Sequence, residues 1–171
     1  MTATMRSLVL AVALLALPVA SAHAAAHAAA TSTEAELKVL ADTLRGNRRA
    51  LVAANQALTS EEAARFWPVY DRYQVEMDAI AKRAVALVDE YINHFRDMSD
   101  EKALQLVTDY LATDADRLKV RQTYLPEFTK AVPGRTVARF YQLENKMDAV
   151  VRYELAADIP VMDEKAAPAK K

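Results

Sequence analysis

From Phe66 to Tyr91 the apolar residues Phe66, Tyr70, Tyr73, Met77, Ile80, Ala84, Leu87 and Tyr91 alternate steps of four and three, and Phe95 follows one further step of four away. A 3.5-residue repeat is the period of a helix whose apolar stripe packs continuously along neighbouring helices. Nothing competes with it as β-structure: Val150-Val151 and Ile159-Pro160-Val161 are too short for strands, and the intervals between turns are too long for a meander. The expected fold is all-α, with elongated antiparallel helical hairpins and long, kinked helices.

The helix starts are marked by short cap-like phrases. Leu58-Thr59-Ser60-Glu61-Glu62 spells a capping box, in which the Thr59 hydroxyl accepts from the Glu62 N–H and the Glu62 carboxylate accepts from the Thr59 N–H. In Met98-Ser99-Asp100-Glu101-Lys102, Ser99 is the cap, and Asp100 and Glu101 put negative charge on the positive end of the helix dipole. Val132-Pro133-Gly134-Arg135-Thr136 is a degraded third copy. Upstream, Leu37, Leu40, Ala41 and Leu44 recur at helical spacing up to Gly46, a candidate stop. Pro68 predicts either a kink near Phe66-Trp67-Pro68 or a helix that begins at Pro68 itself. Leu104, Val107, Leu111, Ala115, Leu118, Leu125 and Phe128 are read as the apolar stripe of a third helix, bent at Pro126. Val137, Phe140, Leu143, Met147, Val151 and Leu155 form a fourth, ended by Pro160. A helix from Thr59 to Arg96 would span about 55 Å. A hairpin of that length leaves apolar surface uncovered by its own chain, so a homodimer is expected.

The ends of the chain carry a different composition. Arg6, the apolar run Leu8 to Ala20 and the small residues of Ala20-Ser21-Ala22 or Ala22-His23-Ala24 form a signal-peptide pattern. Residues 1–24 are therefore read as a cleaved signal peptide, 25–33 as a disordered leader, 34–160 as the helical domain and 161–171 as a disordered tail. The expected location is the periplasm, with no membrane span after cleavage. There is no Cys, so neither disulfide nor thiol chemistry is available, and only Gly46 and Gly134 interrupt the chain as glycines, which disfavours phosphate-cradling loops. The formal charge is −1 and becomes −2 without Arg6, which argues against nucleic acid as a partner.

Candidate chemistry is thin. His94 with Glu90 or Asp97 is an incomplete metal-ligand set, and His23 and His27 belong to the leader, so no metal and no cofactor is expected. Asp89-Glu90, Asp114 and Asp116 lie among Arg96, Lys119 and Arg121 in helical segments, where ion pairing on a solvated face is the simpler reading. Glu61/Arg65, Arg72/Glu76, Asp78/Lys82 and Asp148/Arg152 share the i,i+4 spacing of such pairs. No nucleophile–base or glycine-rich fingerprint is present in the sequence, so an enzyme is not expected.

Aromatic content is the remaining lead. Seven tyrosines, Trp67 and four phenylalanines serve one small domain. Their simplest role is to pack the seam with tyrosine hydroxyls toward water; the alternative is a groove that takes apolar segments of other proteins, with Trp67, Tyr70, Tyr73, Met77 and Tyr91 as its candidate lining. The Leu58-Thr59-Ser60-Glu61-Glu62 and Met98-Ser99-Asp100-Glu101-Lys102 phrases resemble the paired Leu-Thr-x-x-Gln signatures of the Spy/CpxP-like periplasmic helical proteins, a group that includes zinc-resistance-associated relatives. The first phrase keeps the cap chemistry through Glu62; in the second, Lys102 cannot return a hydrogen bond to the cap. The resemblance implies an ATP-independent holding chaperone or envelope-stress protein that binds partly unfolded exported proteins as a homodimer. A specific envelope adaptor or metal-responsive regulator is the alternative. Arg48, Arg49, Lys82, Arg83, Arg117, Lys119 and Arg121 are the cations expected to steer a partner.

Overall fold

A computed structural model describes residues 19–157 and 159–162, with side chains from Ala35 onward. It contains four helices: α1 (Val19–Asn55), α2 (Ser60–His94), α3 (Asp100–Ala131) and α4 (Gly134–Ala157), with no strand among the described residues. The chain divides into two units, Met1–Ala35 and Glu36–Lys171, and the second holds the packed core. The all-α expectation is met.

Local chemistry explains the boundaries. The Thr59 hydroxyl accepts from the Glu62 N–H at 3.2 Å, and the Glu62 carboxylate accepts from the Thr59 N–H at 2.9 Å, so both halves of the capping box are formed. The Ser99 hydroxyl accepts from the Lys102 N–H at 3.2 Å. At α4 the cap role passes to the backbone, with the Pro133 carbonyl accepting from Thr136 and Val137. α2 runs through Pro68 as one helix, so the start lies at the capped Thr59 and not at the proline. The stop expected at Gly46 is instead a kink: Asn47 alone leaves helical geometry, at φ −120° and ψ 17°, and the helix resumes. The segment 25–33, expected to be disordered, lies within α1, in keeping with the high helix propensity of alanine. Most of the expected signal peptide and the tail beyond Met162 lie outside the described residues.

Within the unit Glu36–Lys171 the helices alternate in direction. Arg72 pairs with Glu127, Arg83 with Asp116 and Lys102 with Glu90, so α2 and α3 run antiparallel. Tyr141 reaches the Arg121 carbonyl and Arg152 reaches Asp114, which sets α4 antiparallel to α3. Arg139 reaches the Asn55 carbonyl while Arg45 reaches Glu154, which sets α1 antiparallel to α4. The result is an up-down-up-down four-helix bundle.

Its core is aromatic. Phe66, Tyr70, Tyr73, Phe128 and Phe140 are fully buried, and the Phe128 and Phe140 ring centres lie 4.6 Å apart, with Phe66 5.3 Å from each. Offset and edge-on contacts at these separations add about 0.5–1.5 kcal/mol per pair beyond simple burial. The α2 seam is buried as its period predicts through Ala84, after which burial passes to Val88 while Leu87, Tyr91 and Phe95 are only partly covered. An α-helix turns every 3.6 residues, so a strict 3.5 repeat drifts off the contact line. Within one chain α3, α4 and the second half of α1 cover the α2 seam from Phe66 to Ile80, so that stretch by itself calls for no second copy.

Candidate functional site

α3 carries two stripes. Leu106, Thr113, Val120, Tyr124, Phe128 and Ala131 face the core. The residues read from the sequence as the apolar stripe of this helix are, apart from Phe128, on the opposite side: Leu104 is 69% exposed, Leu111 61%, Leu118 57% and Leu125 45%, with Val107 and Ala115 also exposed. Helical spacing alone cannot say which of two apolar stripes turns inward, and here the larger rings of Tyr124 and Phe128 fix the rotation of the helix. The four outward leucines recur every seven residues and run about 31 Å along the helix at 1.5 Å per residue. An exposed line of large aliphatic side chains on a helix is the usual mark of a docking surface.

A second feature lies inside the bundle. Glu144, 1% exposed, receives the Arg48 guanidinium through Nε at 3.1 Å and Nη2 at 2.9 Å, and the Tyr73 hydroxyl donates to its Oε2 at 3.2 Å. Arg48 Nη2 also donates to Asp148 Oδ1 at 2.5 Å, and Asp148 in turn binds Arg121. One turn further along α1, Arg45 donates to Glu154 at 2.5 Å. Burial alone would lower the Arg48 pKa, but the facing charges of Glu144 and Asp148 outweigh it and the net shift is upward. Burial pushes the Glu144 carboxyl above the usual carboxylate range, with Arg48 opposing the shift and Asp148 adding to it. Ion pairs thus join α1 to α4 beside the apolar cluster that Leu44, Val52, Phe140 and Met147 share.

This network was missed in the sequence, although a signal was present. Val137, Phe140, Glu144, Met147, Val151 and Glu154 alternate steps of three and four, so two carboxylates occupy seam positions of α4. Arg48 continues the 37, 41, 44 seam of α1. Opposite charges at core positions of two helices are what a buried ion pair looks like in sequence. Of the four i,i+4 pairs expected, only Glu61–Arg65 forms, at 2.6 Å. Arg72 turns to Glu127, Glu76 accepts from the Tyr124 hydroxyl and Arg152 turns to Asp114, because neighbouring helices offer better-placed partners, while Asp78 accepts from Gln74 of its own helix.

The candidate client-binding residues do not form an open groove. Tyr70 and Tyr73 are fully buried and Met77 nearly so, which corrects their reading as a contact surface. Trp67 is half-buried, edge-on to Phe66 and Tyr70, with the Arg49 guanidinium 4.2 Å above its ring. Tyr91 donates to the Pro160 carbonyl at 2.7 Å. Tyrosine hydroxyls also meet protein acceptors at Tyr73, Tyr124 and Tyr141, and not only water as the sequence reading had it. Burial raises the Tyr124 and Tyr141 hydroxyls to about 12. The cap residues Leu58, Thr59, Glu62, Met98 and Ser99 have structural roles: Leu58 packs on the core, Met98 is buried, and the other three close helix ends.

Of the steering cations, Arg48, Arg49, Arg83 and Arg121 are held by Glu144 and Asp148, Asp71, Asp116 and Asp148 respectively. Glu90, expected near His94, pairs with Lys102. Among the described residues no group of three His, Cys, Asp or Glu gathers as a metal site would require, and no helix is long and apolar enough to cross a membrane. In comparison with known proteins, the chain matches no family model, no curated protein and no solved structure, so the likeness to Spy/CpxP proteins rests on the cap phrases alone.

Proposed function

We propose that this chain is an exported, non-catalytic helical bundle of the periplasm that holds partly unfolded exported proteins, and that its contact surface is the outward face of α3. The observation that carries this reading is the line Leu104, Leu111, Leu118 and Leu125, which is solvent-exposed among the described residues while aromatic side chains fill the core. An apolar client segment, above all one that can form an amphipathic helix, would set its side chains between these leucines. Occupancy of such a face needs no nucleotide.

A second reading is supported by the regularity of the same face. Asp100 and Glu101 stand at one end of the stripe, and Lys119 and Lys130 lie toward the other. An antiparallel second copy would set Leu104 against Leu125 and Leu111 against Leu118, with small Ala115 near the two-fold axis and Asp100 and Glu101 at the level of Lys130. A homodimer closed in this way is a specific docking protein, not a holder of varied clients.

Light scattering of several unrelated denatured substrates, with the protein at near-stoichiometric ratio, tests the first reading. Protection is expected from the native chain and is expected to be lost in the double variant Leu111→Ser, Leu118→Ser, whose positions are exposed and tolerate polar residues. Failure to protect any substrate, or equal protection by the variant, refutes it. Mass measurement in solution on both chains addresses the second reading, which requires a dimer that the variant converts to monomer.

A further inference from the structure

Away from the α3 leucines, all four helices contribute to a cleft of about 420 Å³. That volume is within the range of small-molecule sites, about 300–1,000 Å³. Met77 and Val85 of α2 and Val151 and Leu155 of α4 give it an apolar lining. Five cations also line it, and three of them are committed: Arg45 to Glu154, Arg48 to Glu144 and Asp148, Arg152 to Asp114. The lining acids are committed as well, Asp148 to Arg48 and Arg121, and Asp78 to the Gln74 amide.

Two charges are left over. Lys82 and Arg117 have no ion-pair partner among the described residues, and the Arg117 Nε is buried without an acceptor. They flank the Arg83–Asp116 ion pair in sequence, one on each helix, so antiparallel α2 and α3 bring them to the same level of the bundle. A buried donor without an acceptor is uncommon in folded proteins, because its lost hydration goes uncompensated. Two unspent cations beside an apolar pocket complement a ligand with one anionic head and one hydrocarbon chain. The kink at Asn47 lies between Arg45 and Arg48, both on the cleft wall, so α1 changes direction at the site.

We propose that this cleft binds a single-chain anionic amphiphile, its carboxylate or phosphate head held by Lys82 and Arg117 and its chain against Met77, Val85, Val151 and Leu155. The site is independent of the α3 face, so either can fail without the other. Titration calorimetry on the purified full chain tests it, with decanoate and decyl phosphate below their micelle concentrations as probes and decanol and decyltrimethylammonium as controls. Saturable one-to-one binding of at least one anion is expected; preference for decanoate identifies a free fatty acid as the natural chemistry, and preference for decyl phosphate a lipid phosphate. The double variant Lys82→Gln, Arg117→Gln should weaken binding at least tenfold. Ala81 lines the cleft yet is exposed, so Ala81→Trp should fill the pocket and abolish binding while the circular dichroism of the helices is unchanged. No binding of either anion, equal binding of decanol or the quaternary ammonium, or binding unaffected in both variants overturns the assignment.

Discussion

Replacing Arg48 with Met isolates the buried ionic network. Arg48 makes two hydrogen bonds to Glu144 and one to Asp148. After the substitution Asp148, with 12% of its side chain exposed, keeps Arg121, but Glu144, at 1%, keeps only the Tyr73 hydroxyl. The cost therefore falls on Glu144, a buried carboxylate without a counter-charge. Removing one partner of a buried pair typically costs about 3–5 kcal/mol, a large share of the roughly 5–15 kcal/mol by which a domain is stable. Replacing both partners with apolar residues removes the stranded charge, so Arg48→Met with Glu144→Leu should recover most of the loss. Urea unfolding of the native chain, both single variants and the double variant measures this, with midpoints read at constant slope. If Arg48→Met costs under about 1 kcal/mol, or if the double variant loses the sum of the two singles, α1 and α4 are not held by this network.

The same geometry sets further expectations. Thr59→Ala should cost about 1 kcal/mol through loss of the capping box, read as a lowered thermal midpoint; an unchanged midpoint would contradict the cap's contribution. Phe140→Ala, at the centre of the ring cluster, should cost about 3–5 kcal/mol, whereas Leu111→Ala on the outer face of α3 should stay within about 0.5 kcal/mol in the monomer. Equal costs at the two positions would mean that α3 is rotated from the orientation described. Glu144 holds its proton more tightly folded than unfolded, so its contribution is fullest below its ordinary value of 4.5 and is lost as pH rises through the raised native value. Relative to Glu144→Gln, the native chain should lose thermal stability as pH rises above about 4.5, and a gap moving the other way would show the carboxyl to be shifted down.

Helix type and helix starts were readable from local chemistry. Thr59 and Glu62 satisfy each other three residues apart, and the Phe66 to Ala84 repeat has one period whatever it packs against, so neither depends on distant residues. Facing is different. α3 offers Leu104, Leu111, Leu118 and Leu125 on one side and Leu106, Val120, Tyr124 and Phe128 on the other, and the choice between them is made by the α2 and α4 rings they must meet. The carboxylates of α4 tell the same story. Asp148 and Arg152 have the spacing of a surface pair, yet each binds an arginine or aspartate about thirty residues or more away, on another helix. An i,i+4 pair in water yields only about 0.2–0.5 kcal/mol, so a well-placed partner on a neighbouring helix outcompetes it. The period of each helix is a short-range property written in its own residues; its rotation, its ion-pair partners and the surface it leaves open are fixed only when the four helices close on one another.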